Sequence, residues 1–116
     1  MTNKIQLKTV LSETAGVSVP QSTLFALLSL GILDSLTSGL LSATDTLQFF
    51  FHAENCLFVR QHLHSRSADE IMSHGVQLPD LFDILPPAEA QREFQRELAK
   101  MRTLCLTLLE EKQQVI

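Results

Sequence analysis

The residues best suited to chemistry lie close together in the middle of the chain: His52, Glu54 and Cys56, followed by His62 and His64. On a helix, side chains four apart share a face, so His52 and Cys56 could present a nitrogen and a sulfur to one zinc ion. His62, His64 or His74 could supply a third ligand. The His-x-Glu spacing could also pair a metal ligand with a proton-transferring carboxylate, but that use needs a P-C-x-x-C further on, and the chain has none. A single i,i+4 pair is more simply a polar histidine at a helix edge beside a buried thiol. No metal is therefore expected, with His52 and Cys56 as the candidates if one were present. His62 and His64 would share a side only in an extended segment. At a helix end, each is more simply a partner for the C-terminal dipole.

Other catalytic arrangements lack their parts. There is no G-x-S-x-G elbow and no phosphate-binding glycine loop, and four glycines leave little to build one from. Cys105 falls on an apolar seam, where a thiol is a small hydrophobe and not a nucleophile. Asp80 and Asp83 sit on a short turn that their charges would favour. The expectation is a protein that is not an enzyme and carries no cofactor. Thirteen acidic against nine basic residues give a net charge of −4, which argues against nucleic acid as a partner. The apolar stretch Leu24 to Leu33 is broken by Ser29 and Gly31 and closed by Asp34. It falls well short of the roughly twenty residues a membrane span needs. It also begins too late, behind Glu13, for a secretory leader. Two cysteines make no disulfide scaffold. A cytoplasmic location with no membrane contact follows as the expectation.

The elements that would position these residues are helices. A first helix should open after Pro20, with Ser22 as its cap and Leu24, Leu27, Leu28, Ile32 and Leu36 on one face, and stop at Gly39. Ser42 to Asp45 reads as a capping box opening a second helix from about Ala43 to about His62, with Leu47, Phe50 or Phe51, Glu54, Leu57 and Phe58 on its stripe. Ser67-x-x-Glu70 predicts a short helix closed by Gly75, followed by a proline-bounded turn over Leu78 to Leu85. Pro86-Pro87 then starts a last helix, where Phe94, Leu98, Met101, Cys105 and Leu108 form a heptad seam. Glu89–Arg92, Glu93–Arg96 and Glu97–Lys100 mark its wet face. Ahead of these, residues 1–19 show only a weak alternation at Ile5 to Leu11 and at Val17 to Val19. They are expected to form an extended or loosely ordered arm. The fold class is thus all-α: a small irregular bundle of three main helices and one or two short ones, in a single domain over residues 20–116.

Apolar surface is the most informative feature. Residues 20–64 contain only four charges, Asp34, Asp45, Glu54 and Arg60. Phe49, Phe50 and Phe51 are consecutive, and on a continuous helix they would fan across about 200°. One core face is narrower than that. Either the second helix is sandwiched centrally or part of the fan meets another chain. The expected function is a non-catalytic protein acting through protein–protein contacts as a homodimer, with Phe49, Phe50, Phe51 and Phe58 in the contact. An immunity-protein-like or antitoxin-like inhibitor, steered by acidic residues around Asp80 to Glu97, is the alternative. A metal-binding helical protein built on His52 and Cys56 is the third.

Overall fold

The computed structural model describes residues 4–13 and 19–113, with side chains up to Glu111. Among them there are six helices and no strand: α1 (Leu7–Glu13), α2 (Gln21–Thr37), α3 (Ala43–Phe49), α4 (Ala53–His62), α5 (Arg66–Ile84) and α6 (Pro87–Gln113). The all-α expectation holds. The helices close a ring in which α2 packs on α6, α6 on α5, α5 on α4, α4 on α1, and α1 back on α2. Phe25, Phe50 and Phe51 are buried in the core, along with Ile71, Met72, Met101 and Leu108.

The most regular element is α6. Its buried side chains are Ala90, Phe94, Leu98, Met101, Cys105 and Leu108, so the heptad seam faces the core as its spacing requires. On the wet face, Glu93 pairs with Arg96 at 2.9 Å and Glu97 lies 3.9 Å from Lys100. Glu97 also reaches across to His74 of α5 at 3.3 Å.

Local signals also hold at α3. Ser42 accepts from the Asp45 backbone, and the Asp45 carboxylate accepts from the Ser42 backbone, both at 3.0 Å. The Ser42 backbone N–H first, and the Ser42 side chain second, hold the Asp45 carboxyl below its ordinary pKa. Gly39 takes the left-handed conformation expected of it (φ 81°) just beyond the end of α2.

Four expectations are corrected. The arm is not wholly extended, since residues 7–13 form α1, with Leu7 and Leu11 buried against the core. The alternation at Val17 and Ser18 lies outside the described residues. The first helix buries Phe25, Ala26, Ser29, Ile32, Leu33 and Leu36, while Leu27 is exposed; its cap position is Pro20, not Ser22. An apolar helix surface leaves the choice of buried face open, because either side can take part in a core.

The second expected helix is two. The chain turns at Phe50 (φ −130°, ψ −51°) and passes extended through His52 before α4 begins. The break resets the helical phase, so α4 buries Asn55 and Val59 while Leu57 is exposed.

Gly75 does not end a short helix. It lies inside α5, which starts from a Ser65 cap (Ala68 N–H to Ser65 Oγ, 3.1 Å) and continues through Pro79. A Cβ at Gly75 would collide with the Phe51 ring, so this glycine is the seat of an aromatic ring.

Candidate functional site

The break at residues 50–52 frees three consecutive carbonyls, and each finds a donor. Phe49 O accepts from the Ile5 backbone at 2.8 Å, Phe50 O from Asn55 Nδ2 at 2.7 Å, and Phe51 O from the Cys56 thiol at 3.8 Å. Asn55, fully buried one helical turn into α4, is the hub. Its Nδ2 also donates to Ile5 O at 2.8 Å, and its Oδ1 accepts from the Leu7 backbone at 2.9 Å. His52 Nε2 meets the same Ile5 carbonyl at 2.9 Å; a carbonyl can only accept, so that nitrogen carries the proton. The helix break and the docking of the N-terminal segment are therefore one hydrogen-bonded unit. Asn55 carried no signal as a functional residue in the sequence, because two of its three partners are backbone atoms 48 and 50 positions away.

The aromatic run is divided by the same break. Phe50 and Phe51 pack edge to face with centroids 5.0 Å apart, and Phe50 stacks on Phe25 at 6.4 Å. Both are buried within the chain, where the expectation set them in a dimer contact. The reason is geometric: the break turns two neighbouring rings inward, and Gly75 makes room for one. Phe49 and Phe58 are half-buried against the core, and Phe58 lies 4.8 Å from the His62 ring.

The metal candidates are likewise engaged elsewhere. His52 Nε2 is bonded to Ile5 O and the Cys56 thiol to Phe51 O, and no cluster of three metal-ligating side chains occurs among the described residues. His64 sits at the turn between α4 and α5 in the left-handed conformation (φ 48°), while His62 belongs to α4. Burial pushes the Cys56 thiol up, and it pushes Cys105 up to about 12. Such a thiol stays protonated near neutral pH. Asp80, Asp83 and Glu89 are exposed near the α5–α6 corner. No helix among the described residues is long and apolar enough to cross a membrane.

One surface differs in character from the rest. A groove of about 530 Å³ runs between the α2–α3 turn, the end of α5 and the start of α6. Leu36, Leu41, Pro79, Phe82 and Phe94 supply its apolar wall, and Asp83 is its one charged lining residue. Phe82 and Phe94 meet edge to face at 5.2 Å. Two other hollows carry charges in their lining, Arg60 and Asp69 in one and Glu89, Arg92, Glu93 and Arg96 in the other. Beside the groove, Leu40 is 79% exposed and Ile84 76%, and Phe82 within it is 45% exposed. Comparison with family models, with curated proteins and with solved structures gives no match for this chain.

Proposed function

We propose that this chain is a non-catalytic protein–protein contact module that self-associates through the groove at the α2–α3 turn. The observation that carries the reading is apolar surface with one charge, bordered by side chains that stand out into water. Leu40 and Ile84 stand largely in water and Phe82 is only partly covered by Phe94, and leaving such a cluster wet is costly. A groove with apolar residues at its rim is suited to an isologous contact, in which each copy offers the rim residue and receives the other's. Its size lies within the range of sites that bury an apolar group. This reading moves the expected contact from the phenylalanine run to the opposite end of α3 and retains the homodimer.

Light scattering on a size-exclusion column tests it. The wild-type chain is expected at twice the 13.0 kDa chain mass, with Leu40→Asp and Phe82→Asp returning it to the single mass while helical content is kept. A wild-type mass of 13.0 kDa at every loading concentration sinks the self-association reading.

A further inference from the structure

The cleft between α2 and α4 holds residues 4–13 by groups that lie outside that segment. At one end, Asn55, His52 and the Phe49 carbonyl address the backbone of Ile5 and Leu7. At the other, Gln21 Nε2 of α2 donates to Leu11 O at 3.4 Å. Between them Leu7 and Leu11, one helical turn apart, are fully buried. Lys8 and Glu54 line the same outer hollow, which sets a base from the segment near an acid of α4. Main-chain bonds to an entering segment and two apolar anchors at i and i+4 are the means by which grooves capture peptides.

We propose that this cleft is a peptide-binding site, filled in cis by residues 4–13 and able to take the same residues of a second copy of this chain in trans. A second copy presents identical atoms, so exchange preserves every bond and changes only which chain supplies the segment. Tethering gives the cis segment an effective concentration in the millimolar range, so trans occupancy rises when the cis segment is weakened or the protein is concentrated. The cleft shares no lining residue with the groove of the preceding proposal, and binding is read here without reference to dimer mass, so the two readings fail separately.

The test is fluorescence anisotropy with a labelled peptide of residues 4–13 and the full chain. The Leu11→Asp chain, whose own segment has lost an anchor, is expected to bind the wild-type peptide about tenfold or more tightly than the wild-type chain does. A peptide carrying Leu7→Asp and Leu11→Asp is expected not to bind. Absence of binding to a Leu11→Asp chain that keeps its helical circular dichroism overturns the proposal. Should that chain not fold, the wild-type chain cut at a single protease site inserted between Ala15 and Gly16 decides. Retention of the cut segment on gel filtration, and its exchange for labelled peptide, is the expected result. Loss of the segment with no uptake of peptide overturns the proposal.

Discussion

At the scale of single residues, the decisive one carries no side chain. Gly75 read as a helix stop because glycine closes many helices, yet here it lies in the interior of α5. In an exposed helix, Gly→Ala would stabilise by about 1 kcal/mol through backbone entropy. At residue 75 the added methyl would meet the Phe51 ring, which is itself enclosed by the core. Overpacking of that kind costs about 1–3 kcal/mol, so the collision outweighs the propensity gain. Gly75→Ala is therefore expected to lower the urea midpoint; a higher midpoint would mean that Phe51 relocates at little cost. The glycine could be seen in the sequence, but its role could not, since Phe51 is a distant neighbour along the chain. Asn55 is a similar case: a polar residue between Glu54 and Cys56 whose worth depends on the backbone of Ile5 and Leu7.

At the scale of elements, local chemistry marked the ends of helices better than their interruptions. The Ser42–Asp45 capping box, the Gly39 turn and the Pro87 start can each be read from adjacent residues, because their bonds span three or four positions. The break at Phe50 leaves no such mark, as no proline or glycine stands there. It persists because the carbonyls it frees are met by Ile5, Asn55 and Cys56. A second junction carries strain. His64 holds φ 48° where the chain passes from α4 to α5, a conformation that costs an L-residue about 1–2 kcal/mol and glycine nothing. His64→Gly is expected to stabilise the protein by about 0.5–1 kcal/mol, part of the relief being offset by the freer unfolded chain. Thermal unfolding by circular dichroism measures it, and a lower midpoint would show that the imidazole makes a contact worth more than the strain.

At the scale of the whole molecule, the ring of helices puts α6 in contact with both α2 and α5, and Cys105 faces inward from its seam. Desolvation there holds the thiol up to about 12 against an ordinary value of 9.0, and the nearby Arg102 offsets this only in part. The sign of the pH dependence follows. Below pH 9 the thiol is neutral in both states and its contribution is fully present. As pH rises from 9.0 toward 12, the unfolded thiol ionises while the folded one does not, and that stability is lost. Native protein is expected to leave Cys105 unmodified by a thiol reagent at pH 8, where roughly one molecule in ten thousand would carry the thiolate. Labelling followed by peptide mapping should find Cys105 modified only as denaturant unfolds the chain. Rapid labelling of the native protein would mean that α6 opens without global unfolding.

The sequence alone determined the all-α class, the seam and wet face of α6, the capping box of α3 and the Gly39 stop after α2. These follow from periodicity and from bonds between near neighbours, which a linear chain carries in plain order. The tertiary structure decided which phenylalanines are internal, that residues 7–13 close the ring of helices, and that the exposed apolar groove lies at Leu40 and Phe82. The reason is common to all three. An apolar residue specifies burial but not a partner. With four charges in residues 20–64 there was too little polar marking to say which side of each helix would be inward. That choice fell to shape: a glycine that admits a ring, a buried amide that ties the Ile5–Leu7 segment and Phe50 to α4, and a break that lets two adjacent rings point inward.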